Sequence, residues 1–359
     1  MESLVADLET FRGRRVLITG HTGFKGSWLS LWLQQHGAIV YGFALQPESL
    51  NSHFSLLNLE QIIEHNVGDI RNEESLRQIF ERVKPEVVFH LAAQPLVKKS
   101  YDFPVETFDT NIIGSTHLLE CVRNSPSVKV CIFVTSDKCY LNRETSTGYK
   151  EHDQLGGHDP YSASKAAAEI VFASYNFSFF NSNEQLGAAS VRAGNVIGGG
   201  DWSDNRIVPD CIRALISGRP IVLRQPYATR PWQHVLEPLS GYIKLAAKLF
   251  RQPNFGISSF NFGPLESSVH TVFDVAQACV NEWGSGDVVI DSLEPNHHEA
   301  SILHLNCDLA KTELRWEPRW NFSQTIHETM DWYKRAESHE PVIEITGQQI
   351  KKYEESLDD

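Results

Sequence analysis

The chain has 359 residues, of which 41% are hydrophobic and 21% charged, a balance that excludes a disordered or fibrous protein. Its formal net charge of -13 makes nucleic acid and anionic membranes poor partners, because an acidic surface repels both. The acidic N-terminus lacks the pattern of a signal peptide, and no apolar run is long enough to span a bilayer. We therefore expect a cytoplasmic protein whose anionic ligands meet a local cluster of basic side chains.

The six cysteines are scattered along the chain and include no CxxC pair. They are Cys121, Cys131, Cys139, Cys211, Cys279 and Cys307. Three of them lie in or beside apolar stretches, which is typical of buried free thiols in a reducing compartment. The pattern favours neither a disulfide framework nor a zinc site.

Predicted strands alternate with predicted helices through the first half of the chain. The strands are 14–19, 38–43, 62–67, 86–91, 128–135 and 188–192, and the helices are 25–36, 73–83, 104–123 and 161–180. This alternation predicts an α/β fold with a doubly wound parallel Rossmann sheet over residues 1–194. After Asn195 the pattern breaks up, which predicts a smaller mixed C-terminal substrate lobe over 195–340, with some segments returning to the main sheet. The polar residues 341–359 are expected to form a peripheral tail.

A glycine-rich loop lies between the first strand and the first helix. It consists of Gly20, His21, Thr22, Gly23, Phe24, Lys25 and Gly26. Glycine lets a backbone approach a pyrophosphate closely, and the helix N-terminus supplies N–H donors. A plain tight turn is the alternative. The position after the first strand favours a dinucleotide site, and residues 1–194 then form the cofactor-binding domain.

The end of the second strand gives little information about cofactor preference. An acid there binds the adenosine ribose of NAD, whereas a base there accommodates the extra phosphate of NADP. Residues 41–46 contain neither. Asp69 is a candidate contact to the adenine edge, and a helix N-cap or turn residue is an equal alternative.

Tyr161 and Lys165 are four residues apart on a predicted helix and therefore face the same way. An adjacent ammonium favours a phenolate, so we expect Lys165 to lower the pKa of Tyr161 enough for it to accept a proton from a sugar hydroxyl. The spacing alone is weak evidence, because an exposed helix face can show it by chance. It gains weight because it follows a strand that ends in 135–140, at the edge where doubly wound folds bind ligands.

Together these motifs resemble an extended short-chain dehydrogenase/reductase, and more narrowly the nucleotide-sugar 4,6-dehydratases. The resemblance rests on the glycine loop, on 90–94 and Asn111, and on 135–140 followed by the Tyr-Lys pair. It covers residues 14 to about 335. Thymidine-linked relatives have a glutamate where this chain has Lys138. The Ser-Asp-Lys-Cys-Tyr run is similar instead to the cytidine-linked members.

The resemblance implies a lyase that uses NAD and converts CDP-glucose to its 4-dehydro-6-deoxy form, a step toward the deoxysugars of bacterial surface polysaccharide. Tyr161 would take the 4-hydroxyl proton while Ser136 binds the 4-oxygen. Lys138 would remove the C5 proton and Asp137 would protonate the departing 6-hydroxyl. On the residues alone, Asp137 and Lys138 would be interpreted as a salt-bridged turn. The resemblance favours catalysis.

The resemblance also implies further ligand contacts. The cofactor contacts outside the glycine loop are Asp69, Ile70, Leu91, Ala92, Ala93, Asn111, Thr135, Tyr161 and Lys165. The substrate contacts are Gln94, Asn195, Arg206, Arg224, Arg230, His298 and Glu299. Guanidinium suits a diphosphate because it donates two hydrogen bonds at once, although Arg224 and Arg230 are alternatively surface arginines. Two adjacent histidines point poorly at one ion, so we expect no metal at 297–299.

Three alternatives remain open. A nucleotide-sugar 4-epimerase shares the glycine loop and the Tyr-Lys pair, but it has no need of Asp137 and Lys138. A 4,6-dehydratase for another nucleotide is the second alternative. A catalytically silent Rossmann module is the non-enzymatic alternative. We also expect a homo-oligomer, a dimer or tetramer, formed through helices 104–123 and 161–180, because both carry apolar faces and relatives pair such helices into a bundle.

Overall fold

The computed structural model describes residues 4–47, 49–145, 147–264, 270–291 and 303–356. The strands are β1 Arg15–Thr19, β2 Ile39–Ala44, β3 Glu64–Val67, β4 Val87–His90, β5 Val130–Val134, β6 Gly187–Ala193, β7 Val196–Ile197, β8 Ile221–Leu223, β9 Thr229–Arg230, β10 Gln233–His234, β11 Ser259–Phe262, β12 His270–Thr271 and β13 Val288–Ile290. The helices are α1 Leu4–Glu9, α2 Phe24–Gln35, α3 His53–Leu56, α4 Glu73–Val83, α5 Val97–Asp102, α6 Pro104–Phe108, α7 Ser115–Arg123, α8 Pro160–Tyr175, α9 Ile207–Ile216, α10 Leu236–Arg251, α11 Val272–Trp283, α12 Asp308–Leu314, α13 Phe322–Glu337 and α14 Val342–Glu355.

Seven parallel strands form the central sheet in the order β11-β6-β5-β4-β1-β2-β3. The central strands are continuous apolar runs, such as β5, in which all five residues are buried. Such runs are typical of a parallel sheet covered by helices on both faces. The strand order reverses between β1 and β4, and ligands of doubly wound folds bind at that switch point. The predicted fold class is confirmed.

Two of the predicted helices each include a π-helical segment. The predicted helix 104–123 comprises α6, a π-helical segment Asp109–Gly114 and α7. The predicted helix 161–180 comprises α8 and a π-helical segment Asn176–Phe180. Segments of π-helix are frequent at functional sites, and the first of these two contains Asn111.

The chain after residue 194 both extends the main sheet and builds smaller ones. β11 pairs with β6 at the edge of the central sheet. The short pairs β7 with β10, β9 with β12 and β8 with β13 lie outside it. The hydrophobic core is continuous across position 194, since Val191 and Leu239 belong to the same cluster. The division into a domain at 1–194 and a lobe at 195–340 stays a prediction.

The C-terminal segment differs from the sequence-based expectation. Residues 342–355 form α14, whose Ile345, Ile350 and Tyr353 are buried in the main core cluster. The Tyr353 hydroxyl donates a 2.6 Å hydrogen bond to Glu237. The prediction of a peripheral tail is therefore wrong for these residues, because a narrow apolar stripe among charged side chains is enough to dock a helix.

The prediction of buried free thiols is confirmed for five of the six cysteines. All six lie in described residues and are free thiols, five of them buried and Cys307 half-buried. Burial raises the pKa of Cys131 to about 12, which keeps that thiol protonated and unreactive. Among the helices of the described ranges, none is both long and apolar enough to cross a membrane.

Candidate active site

The glycine loop presents an open helix N-terminus at the end of β1. Gly20 has φ +76°, and a Cβ there would lie 2.7 Å from the Ala92 backbone nitrogen. A Cβ on Gly26 would collide with the Gly20 carbonyl oxygen. Gly23 caps α2 without a side-chain hydrogen bond. Glycine at positions 20 and 26 thus permits close backbone packing, and the 12-residue helix α2 begins without a side-chain cap on its first N–H groups.

Two histidines lie where the second strand approaches this loop. His21 Nε2 is 2.6 Å from His65 Nδ1, and a Cβ on Gly42 of β2 would collide with the His21 ring. Burial, with a smaller contribution from His65, lowers the pKa of His21 to about 3, so the pair is uncharged at neutral pH. Thr22 Oγ1 donates to the Leu45 carbonyl at 3.1 Å. The loop is therefore tied to β2 and β3 by neutral groups.

Asp69 is a turn residue. Arg71 donates to it from its backbone N–H at 2.9 Å and from its guanidinium at 2.6 Å. Asn72, not Asp69, caps α4, because its side chain accepts from Ser75 N. The N-cap alternative for Asp69 is therefore wrong, and its contact to adenine stays a prediction.

The segment after β5 carries the candidate acid and base. Ser136 Oγ donates to Asp137 Oδ1 at 2.9 Å and accepts from Lys138 N at 3.2 Å, which starts a 3-10 turn over Asp137–Cys139. Asp137 is 2% exposed, and its Oδ2 is buried without a hydrogen-bond partner in the part of the chain that is described. Burial raises the pKa of Asp137 in spite of Lys138, Ser136, Lys25 and Arg230, which all act to lower it. A buried carboxyl with a raised pKa is suited to giving up a proton.

Helix α8 presents the tyrosine and the lysine to this turn. Asp159 caps the helix by accepting from Ser162 N at 2.9 Å, and Pro160 occupies the first turn. Tyr161 and Lys165 are both buried. Burial raises the pKa of Tyr161 to about 12, while a hydrogen bond with Ser136 lowers it. The influence of Ser136 and Asp137 on this pKa indicates that the phenol lies near the turn after β5.

The expectation that Lys165 lowers the pKa of Tyr161 is not met. Burial dominates for both groups, and it lowers the pKa of Lys165 to about 8. Because burial disfavours the charged form of Lys165, this lysine stabilises the phenolate of Tyr161 less than an exposed ammonium would.

Three of the predicted basic side chains converge on the same place. Lys25 and Arg230 act electrostatically on Asp137, and Arg206 acts on Tyr161. Arg206 also donates to Asp201 at 3.0 Å. Arg224 is exposed just after β8. Of the two arginines proposed for the diphosphate, the structure therefore brings Arg230 to the site.

Three predicted ligand contacts are held by the protein itself. Asn111 Oδ1 accepts from Gln94 N at 2.8 Å, and Asn111 Nδ2 donates to Ser164 Oγ at 2.8 Å. Gln94 Nε2 donates to Thr107 Oγ1 at 2.9 Å. The Thr135 hydroxyl donates to Glu169. These bonds join the strand ends to α8, and the contacts of Gln94, Asn111 and Thr135 with ligands stay predictions.

The structure gives less information about the remaining predicted ligand contacts. Ile70 is buried against Gly114, and Leu91, Ala92 and Ala93 are half-buried after β4. Asn195 is half-buried, and its carbonyl accepts from Gln233 N at 3.1 Å. His298 and Glu299 lie outside the described residues.

Sequence reasoning missed a buried ion pair beneath the site. Arg192 of β6 donates to Glu169 of α8 from Nη2 at 2.7 Å and from Nε at 2.9 Å, and both side chains are buried. The signal was present in the sequence. Each charge lies alone in an apolar segment, and a charge in such a setting needs an opposite partner.

Comparison with known proteins agrees with this geometry. The family model described as GDP-mannose 4,6 dehydratase matches residues 17–329. The chain belongs to that family. A member of the GDP-mannose 4,6 dehydratase family is an enzyme, so the silent-module alternative is set aside. The predicted membership in the epimerase/dehydratase group is confirmed.

Individual relatives include dehydratases and epimerases. CDP-glucose 4,6-dehydratase of Salmonella typhimurium is 45% identical over 97% of this chain and 98% of that protein. UDP-glucose 4-epimerase of Pisum sativum is 24% identical over 89% of this chain and 96% of that protein.

Solved structures share the fold. Epimerase Mth375 of Methanothermobacter thermautotrophicus has a TM-score of 0.79 and 22% identity, covering 94% of this chain and 96% of its own. A dTDP-glucose 4,6-dehydratase of Bacillus anthracis, solved in complex with NAD, has a TM-score of 0.75 and 23% identity, covering 91% and 98%.

Proposed function

We propose that this chain converts CDP-D-glucose to CDP-4-dehydro-6-deoxy-D-glucose and water, a step toward the deoxysugars of bacterial surface polysaccharide. The observation that carries the proposal is the turn after β5, in which Ser136 and Asp137 are buried and Lys138 is half-buried, close to the buried Tyr161. In the proposed reaction this turn would supply the acid and the base, next to the tyrosine that starts it. The 45% identity with a CDP-glucose 4,6-dehydratase over nearly the whole chain supports the cytidine nucleotide.

The proposed cofactor is NAD. The glycine loop fits a dinucleotide because Gly20 and Gly26 let the loop backbone pack closely at the end of β1, where a Cβ would collide with neighbouring backbone, and because Gly23 leaves the helix N-terminus without a side-chain cap. The residues that would hold it are those of the loop, with Tyr161 and Lys165 on the nicotinamide ribose. The chemistry that NAD supplies when bound is hydride acceptance from C4 and hydride return to C6.

The protein's own groups carry the proton transfers. Tyr161 takes the proton of the sugar 4-hydroxyl, and Ser136 holds the 4-oxygen. The 4-ketone acidifies the proton on C5, which Lys138 removes. Asp137, whose pKa is raised by burial, gives its proton to the 6-hydroxyl so that the C6–O bond breaks and water leaves. Arg230 and Arg206 supply positive charge beside this site for an anionic substrate.

The acid and base separate this reaction from 4-epimerisation. An epimerase returns hydride to C4 and loses no water, so it does not use Asp137 and Lys138. The test incubates the protein and NAD with CDP-, dTDP-, UDP- and GDP-glucose in parallel, and looks for the alkali-induced absorbance of a 4-keto-6-deoxy sugar. We expect product from CDP-glucose. Formation of the 4-epimer without that absorbance, or preference for another nucleotide, would contradict the proposal.

We also propose that the protein is a homo-oligomer. Apolar side chains are exposed along the predicted interface helices and beside them: Val105 is 79% exposed, Ile170 60% and Phe177 83%. Ala163 and Ala167 on α8 are small enough to let a second helix approach closely. Covering such a patch against a second copy removes apolar surface from water.

Light scattering at micromolar concentration tests the oligomer. We expect a mass at least twice the 40.6 kDa of one chain. The Ile170→Glu variant, which places a charge in the interface, should have a mass shifted toward that of a single chain. A wild-type protein at 40.6 kDa would contradict the proposal.

A further inference from the structure

The buried ion pair of Glu169 and Arg192 has contacts well beyond its own two partners. Burial alone would raise the pKa of Glu169, but the Arg192 guanidinium and hydrogen bonds from Thr135 and Ser190 hold it below its ordinary value. The carboxylate is thus charged in the core. A buried pair of this kind often contributes no more to stability than apolar residues of the same volume. Its presence under a candidate active site calls for a reason other than stability.

The pair contacts both ends of the segment that carries the acid and the base. On one side, the hydroxyl of Thr135, the residue before Ser136, donates to Glu169 Oε1. On the other side, Arg192 Nη1 donates to the hydroxyl of Tyr140 at 2.6 Å, and Tyr140 ends the 3-10 turn. The Tyr140 hydroxyl in turn donates to Asn261 Oδ1 at 2.8 Å. The segment 136–139 is therefore held by one ion pair at the two residues that flank it, Thr135 and Tyr140.

Glu169 also belongs to the helix that carries the other catalytic candidates. It lies one helical turn after Lys165 and two turns after Tyr161 on α8, so the three share a face. The ion pair thus connects the turn after β5 with the helix of the Tyr-Lys pair. These two elements must be aligned, because C4, C5 and C6 of one sugar have to meet groups from both.

We propose that Glu169 and Arg192 are positioning residues that hold the turn of Ser136, Asp137 and Lys138 in register with Tyr161 and Lys165. The proposal rests on the proposed function for the reaction that this alignment serves. A displacement of about 1 Å between reacting groups can cost roughly a hundredfold in rate, so a rigid connection between the two elements matters.

Two variants release the turn while avoiding an unpaired buried charge. Tyr140→Phe removes the hydroxyl through which Arg192 holds the end of the turn, and leaves the ion pair intact. The double variant Glu169→Gln/Arg192→Met removes both charges together, because removing one would leave the other uncompensated. Ser190→Ala is the matched control, since it removes a 2.8 Å hydrogen bond to Glu169 Oε2 that does not involve the turn.

The first measurement uses ligand-free protein. Cys139 lies within the turn and is fully buried, as is Cys131 in the neighbouring strand β5. Labelling with N-ethylmaleimide, followed residue by residue with mass spectrometry, compares the two thiols. We expect Cys139 in Tyr140→Phe and in the double variant to react faster relative to Cys131 by about tenfold, the effect of losing one charge-assisted hydrogen bond. Ser190→Ala should leave the ratio unchanged.

The second measurement follows turnover of CDP-glucose. A misaligned turn slows the loss of water more than the oxidation at C4, so reduced nicotinamide should accumulate during the steady state of both variants. A general loss of stability would lower the overall rate without that accumulation.

Cys139 and Cys131 reacting in parallel in both variants, or Ser190→Ala behaving like Tyr140→Phe, would overturn the positioning role. A wild-type protein inactive on CDP-glucose would contradict the proposed function instead, and the ligand-free labelling would still decide whether the pair holds the turn.

Discussion

Ser136 donates a 2.9 Å hydrogen bond to one carboxyl oxygen of Asp137, and the other oxygen is buried with no hydrogen-bond partner among the described residues. A carboxylate in this state has lost water without full replacement, which is costly. The raised pKa of Asp137 is the consequence, because burial outweighs the hydrogen bond and the nearby cations. The site keeps an acid in the protonated form to a higher pH than an ordinary aspartate allows.

Asp137→Asn should lower activity and raise stability together. The amide fills the same space but cannot give a proton to the 6-hydroxyl, so turnover should fall by roughly 10²- to 10⁴-fold. A raised carboxyl pKa means that ionisation weakens the folded state as pH rises above the unfolded value. The variant should therefore have a higher unfolding midpoint than the wild type at pH 8, and the difference should shrink toward pH 4. Calorimetry and turnover assays measure both, and a variant less stable at pH 8 would contradict the account of Asp137.

Tyr161→Phe should stop the reaction at its first step. The phenyl ring cannot accept the 4-hydroxyl proton, so we expect a loss of about 10²-fold or more and no reduced nicotinamide on mixing with substrate. Because burial raises the pKa of Tyr161 to about 12, activity of the wild type should increase with pH over the neutral range. Circular dichroism controls for folding. Near-normal turnover in the variant would refute the role of Tyr161.

Lys138→Met should separate oxidation from dehydration. The variant keeps Tyr161 and Ser136, so reduced nicotinamide should form, but without a base at C5 the dehydrated product should not appear. In deuterated solvent the C5 hydrogen should remain unexchanged, as nuclear magnetic resonance of recovered sugar can establish. Complete exchange at C5 in Lys138→Met would show that another group is the base.

The part of the site that could be predicted from the sequence is the part built from local motifs. The glycine loop, the strand end at 135–140 and the spacing of Tyr161 and Lys165 are each read within a few residues. The pairing of Glu169 with Arg192 requires knowing that α8 packs against β6, and their separation along the chain conceals it. The raised pKa of Tyr161 likewise depends on how deeply the assembled fold buries the phenol.

The C-terminal helix shows the same limit for the fold. Its apolar residues are separated by charged ones, so its composition resembles a tail. Yet Tyr353 is buried and donates to Glu237, whose other oxygen accepts from the backbone of Arg319 at 3.0 Å and of Trp320 at 2.7 Å. One buried carboxyl on α10 thus joins three parts of the chain that are distant in sequence.

Glu237→Gln should remove a pH dependence of stability that arises at this junction. Burial raises the pKa of Glu237 to about 7 from its ordinary value of 4.5, in spite of the hydrogen bonds from Tyr353, Trp320 and Arg319. A carboxyl with a raised folded-state pKa disfavours the folded state progressively as pH rises from 4.5 to about 7, and no further above that. The penalty to the free energy of folding at its plateau is roughly 3 kcal/mol, at about 1.4 kcal/mol for each unit of pKa.

Glutamine at position 237 stays neutral and can still accept from both backbone N–H groups. The unfolding midpoint of Glu237→Gln minus that of the wild type should therefore increase between pH 5 and pH 8, by roughly 4 °C for a chain of this size. Tyr353→Phe serves as the control, because it removes a hydroxyl partner of Glu237 without removing the titrating carboxyl, and its stability should keep the pH dependence. A midpoint difference that stays constant across this range would mean that Glu237 titrates as an ordinary carboxylate, and that its three donors compensate for its burial.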